Sequence, residues 1–148
     1  MKKIYLILLT LIFTYSFNLG DSIGFIDMQK ITQGYKEVIK FDEELNKKAK
    51  KLEDLYVKSQ EKIEKARKNG ENEEELKKLI IKESEKLEPQ KEELLNLKAA
   101  FTNRLIGEIT TTSKLIAKDY GVDIVIDKSA IIYGGFDLTE FVLNKLNE

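Results

Sequence analysis

Cysteine and histidine are both absent from this chain of 148 residues. The first absence excludes disulfides and thiolate metal sites. The second removes the commonest general base and the commonest metal ligand, which argues against an enzyme. Proline occurs once and glycine only eight times. An excess of one charge is lacking too: 25 basic residues stand against 26 acidic ones, a net charge of −1. Bulk charge therefore calls for no nucleic-acid partner. Charge itself is abundant, at 34% of residues, with 42% hydrophobic. A mixture so rich in Lys, Glu and Leu points to long helices or coiled coil more than to a thick core. The length suits one modest domain.

The chain opens "MKKIYLILLTLIFTYSFNLGDS". Lys2 and Lys3 precede an apolar run from Ile4 to about Phe13, and small and polar residues follow. That is the layout of a secretory signal. A spanning helix needs about twenty apolar residues, and Asn18, Gly20 and Asp21 stop this one short. Residues 1–20 are expected to be a signal peptide cleaved near Gly20; the competing reading is an uncleaved anchor. Without Cys, a lipoprotein is excluded. Removing Lys2 and Lys3 leaves 23 basic against 26 acidic residues, a charge of −3. Residues 21–148 are expected to form a single exported domain.

"SIGFIDMQKI" follows. Ile23, Phe25 and Ile26 read as a short strand within 22–28, and Asp27 as the cap of a helix. Helical spacing is expected from Met28 to about Lys68. Phe41, Leu45, Ala49, Leu52, Tyr56, Ser59, Ile63 and Ala66 form one seam with alternating steps of four and three after the first two, as in coiled coils. "KNGEN", residues 68–72, breaks the pattern at the Asn69-Gly70 dipeptide, with Asn72 as the next N-cap. Glu73, Glu74 and Glu75 then suit the positive end of the helix dipole, so no metal is read into them. A second seam runs through Leu76, Ile80, Glu83, Leu87, Gln90, Leu94, Leu97 and Phe101. Two matched seams joined by a tight turn describe an antiparallel coiled-coil hairpin. At about 1.5 Å per residue, forty residues reach on the order of 60 Å. Ser59, Glu83 and Gln90 weaken the seam, so the distal part is expected to flex. Pro89 predicts a kink and is a hinge candidate. The helix is expected to end near Tyr120, with Gly121 as a left-handed cap.

The C-terminal stretch changes character. "VDIVID" alternates Val122, Ile124 and Ile126 against Asp123, Val125 and Asp127, and "AIIYGG" predicts a further strand after a turn at Lys128 and Ser129. Asp123 and Asp127 read as surface residues. In "DLTEFVLNKL", Asp137 and Glu140 suggest a capping box on a terminal helix with an apolar side at Phe141, Val142, Leu143 and Leu146. The expected fold is α+β, mostly α. A long coiled-coil hairpin (arm, 31–119, tip 68–72) is inserted in a small β-sheet body (21–30 and 120–148). Alone, such a sheet leaves edges unpaired and buries little. Sharing it between subunits solves both problems, so the body is expected to be an oligomerisation platform.

The "IGFIDM" opening and the "DIVIDKSAIIY" block with its "DLT" helix start resemble the Skp (OmpH) family of periplasmic chaperones, and the resemblance extends over the whole exported chain. It implies a homotrimer whose strands pool into one body, with three arms around a cavity. It further implies that unfolded outer-membrane β-barrel proteins are held there without ATP or cofactor. Such precursors aggregate through their strands, and many weak contacts from Lys and Glu stems with scattered Leu, Tyr and Phe suit their reversible isolation. The best-known members are basic, whereas this chain is slightly acidic. Residues 36–68 carry eleven basic and eight acidic residues, and 71–119 nine and eleven. Lipopolysaccharide or membrane contact is therefore not carried over.

The residues expected in the trimer body are Ile23, Phe25, Ile26, Ile124, Ile126, Ile132, Phe141 and Leu143. The arm tip is Lys65, Arg67, Lys68, Asn69 and Gly70. No catalytic, cofactor or metal residues are assigned. The main alternative is an exported structural coiled-coil protein that scaffolds the cell envelope; a surface adhesin and an enzyme rank below it.

Overall fold

Four residues, Ile23–Ile26, form strand β1, the centre of a three-stranded sheet in a computed structural model that describes residues 22–148. The expected export signal lies outside the described residues. Both neighbours of β1 come from the far end of the chain: β2, Ile124–Asp127, and β3, Phe136–Asp137. Both pair with it in parallel, Ile23 opposite Ile124 and Gly24 opposite Phe136. Parallel strands need a long crossover, and here the crossover from β1 to β2 is the entire helical arm.

Side chains alternate across a strand. Gly24 and Ile26 face the helices and are buried, while Ile23 and Phe25 face outward beside Ile124 and Ile126. A Cβ at Gly24 would lie 2.9 Å from Val122 Cγ1 and 3.0 Å from Leu138 Cδ1. Only a bare α-carbon lets the body close this tightly.

The helical spacing from Met28 to Lys68 resolves into two helices rather than the one expected: α1, Met28–Gly34, and α2, Lys36–Lys68. Tyr35 between them is extended, with φ −79° and ψ 118°. The break is closed by a residue from the C-terminus. Asn147 Nδ2 donates to the Gly34 carbonyl (3.1 Å), and Lys36 N donates to Asn147 Oδ1 (2.9 Å). Tyr35 is buried and its hydroxyl donates to Glu108 Oε2 at 3.0 Å. Burial, then that carboxylate, pushes its pKa up to about 12.

The tip turn follows α2, and α3 runs Glu73–Asp119 without interruption through Pro89. Asn72 caps α3 in a reciprocal box with Glu75. At its far end Gly121, at φ +66°, turns the chain, with Val122 N donating to Ala117 O and Gly121 N to Lys118 O. This pair of bonds is the Schellman closure, and it needs the left-handed conformation that glycine adopts without penalty.

After β2 the expectations fail in two places. Lys128–Ala130 is a 3₁₀ turn capped by Asp127, and "AIIYGG" is a loop, not a strand; the third strand is Phe136–Asp137. The last helix, α4, spans Thr139–Leu146 and starts one residue too late for Asp137 to be its N-cap. Asp137 instead accepts from Thr139 N, and Glu140 pairs with Lys30 of α1 rather than reaching back.

The core lies between the inner sheet face, α1, α4 and the C-terminal half of α3. Ile31, Leu138 and Val142 are fully buried there, with Ile26, Ile109, Ile116 and Val122 around them. Full burial of such a side chain contributes about 1.5–3 kcal/mol. Leu138→Ala removes one of these anchors and leaves a cavity between sheet and helices. It is expected to cost about 2–5 kcal/mol, read as a lower urea midpoint at fixed chain concentration.

Candidate functional site

The chain presents two surfaces built for contact, a thin arm and one bare face of the sheet. In the arm, α2 and α3 run antiparallel. Phe41 stacks on Phe101 near the base with ring centroids 3.7 Å apart, and Lys48 pairs with Glu93 at 2.7 Å further out. Leu45, Leu52, Ile63, Leu76, Leu87 and Leu94 are half-buried along the seam. Three expected seam positions are exposed instead: Tyr56, Ile80 and Gln90. A two-helix arm has only a narrow interface, so residues at its margins remain in water.

Two residues that looked like separate flaws in the seam are partners. The Ser59 hydroxyl donates to Glu83 Oε2 at 2.8 Å, and Glu83 is only 4% exposed. Lys86 Nζ reaches the same carboxylate at 2.5 Å and Lys62 Nζ at 3.5 Å. A buried carboxylate is tolerated only with such partners. The Lys86 bond first, then the Ser59 hydroxyl, lowers the Glu83 pKa from 4.5 to about 2.

At the tip, Lys65, Arg67 and Lys68 lie in the last turn of α2, where cations suit the helix dipole. Asn69 is the C-cap and Gly70, at φ +79°, turns the chain; all five tip residues are exposed. Pro89 is exposed as well. Apolar side chains are bare along the arm, among them Tyr56, Val57, Ile81 and Leu95. Beside Tyr56 a dimple of about 350 Å³ is lined by Ala49, Leu52, Leu87 and Leu94, with Glu53 and Lys91 at its rim.

The residues expected in the body divide. Ile26 belongs to the chain's own core, and Leu143 packs against it. Phe25 and Ile126 are half-buried on the outer sheet face, where Ile23 and Ile124 are exposed. Phe141 joins Tyr120 and Phe136 in an aromatic cluster, each ring partly in water. Ile132 stands fully exposed.

Residues 22–146 match the family model described as outer membrane protein (OmpH-like). The chain belongs to this family. No curated protein matches it. The family match spans the sheet, both arm helices and all of α4. Among its residues, Asp123 is at the surface as expected and Asp127 is half-buried, and both are engaged in hydrogen bonds. Asp123 accepts from Ser22 N and Oγ, both at 3.0 Å, and so fixes the start of β1. Asp127 accepts from Ser129 and from Met28 N, at the junction with α1. Backbone and hydroxyl donors lower the pKa of both.

Because the folded value for Glu83 lies below its ordinary one, its contribution is complete above about pH 4.5 and is lost as pH falls toward 2. Melting followed by far-UV circular dichroism across that window is expected to fall less steeply for Glu83→Gln than for the parent. Equal slopes would remove the clasp from the account of arm stability.

Proposed function

We propose that the chain is an ATP-independent periplasmic holdase. In this reading three copies form a homotrimer through their sheet bodies, and unfolded outer-membrane β-barrel proteins are kept from aggregating between the arms. The OmpH-like match supports the client class. The observation that carries the reading is the state of the two surfaces. The arm shows scattered apolar side chains among charges, which suits many weak, sequence-blind contacts. Among the described residues the sheet is wholly parallel yet covered by helices on one face only. Parallel sheets are normally buried on both faces, and Ile23 and Ile124 leave this one open to a partner.

In the same reading, residues 1–20 direct export and are removed, the tip touches client at the cavity mouth, and Pro89 gives the arm a point of bending. The protein acts by isolation rather than by catalysis. Among the described residues, no group of three or more acidic side chains is placed to hold a metal ion.

Light scattering of residues 21–148, alone and with a denatured outer-membrane barrel protein, tests the reading. A mass of three chains that takes up one client and keeps it soluble supports it. A trimer that ignores the client shifts weight to an envelope scaffold. Ile124→Asp changes an exposed position, so the chain should keep its helicity. It is expected to lose the trimer and the suppression of client aggregation together; a variant that stays trimeric would leave the outer face without its assigned role.

A further inference from the structure

Ser113 carries a hydroxyl that its own chain leaves unused. The residue is 6% exposed, and its oxygen has no hydrogen-bond partner. Buried hydroxyls are seldom left so. Inside a helix such a group can bond the carbonyl four residues back. Thr102 does so to Lys98 O and Thr111 to Gly107 O, both in α3. Ser113 instead lines a groove of about 760 Å³ between α3 and β2, walled by Ile106, Ile109, Val122 and Val125. That volume lies within the roughly 300–1,000 Å³ of sites that hold a defined ligand.

Two further features decide what the groove suits. On one side, among the described residues, β2 is an edge strand with β1 as its only neighbour. Ile124 N bonds to Ser22 O, so alternation along the strand turns the N–H and C=O of Val125 to the open edge. On the other side stand Lys114 and Lys118, one turn apart on α3, both exposed. Neither is held by a carboxylate among the described residues. The acids that share the groove, Asp123 and Asp127, are engaged by Ser22, Ser129 and Met28. The last turn of α3 accounts for Lys118, since a cation there suits the dipole. Lys114 lies a turn too early for that reason.

We infer that this groove takes the C-terminal end of an extended peptide whose last side chain is apolar. That side chain lies against Ile106 and Ile109, and the terminal carboxylate meets Lys114 and Lys118. The peptide backbone continues the sheet along β2, and the Ser113 hydroxyl donates to an oxygen of the bound end. Strand addition and capture of a terminal carboxylate are both ordinary modes of peptide recognition. A fatty acid also offers an apolar chain and a carboxylate, but it has nothing to pair with the edge groups of Val125. A barrel precursor alternates apolar and polar residues, so a terminal strand turns one set to the groove and the other to water. The inference deepens the holdase reading and rests on it for the partner's identity alone: the arms grip without regard to sequence, while the groove reads one end of the client.

The probe is a fluorescent hexapeptide of alternating threonine and valine that ends in phenylalanine, made as the free acid and as the C-terminal amide. Fluorescence anisotropy with residues 21–148 is expected to show the acid binding about tenfold or more tighter than the amide, because only the acid keeps a charge for the lysines. With Lys114→Gln and Lys118→Gln together, both forms are expected to bind alike, at the amide's affinity. Ile106→Asp is expected to abolish both; the position is 53% exposed, and circular dichroism checks that helicity is kept. Ser113→Ala is expected to weaken both forms without lowering the melting temperature, the opposite of what a purely structural hydroxyl would do.

Acid and amide bound alike by the parent, or neither bound, overturns the inference. Decanoate bound more tightly than the peptide assigns the groove to an acyl chain and overturns it too. So does a change of mass in light scattering caused by Ile106→Asp, which assigns the groove to a second copy. The expected peptide pattern in a chain that lets clients aggregate supports the groove and removes the holdase reading.

Discussion

Everything in this molecule depends on one strand being held between two partners about a hundred residues away. Residues 23–26 lie between 124–127 and 136–137, all three parallel. The requirement brings the two ends of the arm side by side and fixes where α1 and α4 must pack. The contacts that pin the arrangement are mostly polar and long-range. Ser22 and Asp123 tie the strand starts, and Thr139 and Asp127 accept the backbone N–H groups of Asp27 and Met28. Asn147 closes the break before the arm. Apolar burial supplies the bulk of the stabilisation in the body, while these bonds select which segments meet.

The arm obeys a different economy. It has no thick core, so each layer of the seam counts. An aromatic stack holds its base and a carboxylate held by one hydroxyl and two ammonium groups holds its outer third. A buried ion cluster of this kind is weak evidence for stability, but it fixes register, since a slip of the helices would strand the Glu83 carboxylate among apolar groups. The surface between these layers is left uneven and partly apolar.

What could be read from the sequence was what local chemistry decides. The four-and-three spacing, Asn72 as a cap, the Asn69-Gly70 turn and the Gly121 terminus all depend on residues a few positions apart, and the structure has each of them. The misses depend on distant residues. Tyr35 breaks a helical pattern because Asn147 satisfies the break from the other end of the chain. Asp137 looked like a cap by its spacing to Glu140, but Glu140 is taken by Lys30. The Ser59–Glu83 clasp was within reach. Each lies twelve residues from Glu71, just as Phe41 and Phe101 each lie thirty residues from it, so folding the two seams about the tip would have paired both. The outer sheet face was legible as apolar, but alternation alone could not say that helices would leave it bare.

The inserted arm also sets the order in which the chain can fold. Synthesis delivers β1 first and its two partners last, so for nearly a hundred residues that strand has both edges open. Closing so long a loop by chance is costly in entropy and slow. The hairpin needs only a tight turn and contacts that zip outward from it, and it uses nothing beyond Asp119. Once zipped, it leaves Tyr35 beside Glu108 and Glu37 beside Arg104 of α3, and so brings β1 toward the place where β2 will appear. The arm is thus a template for its own body: the part that reaches furthest from the sheet is the part that lets the sheet form.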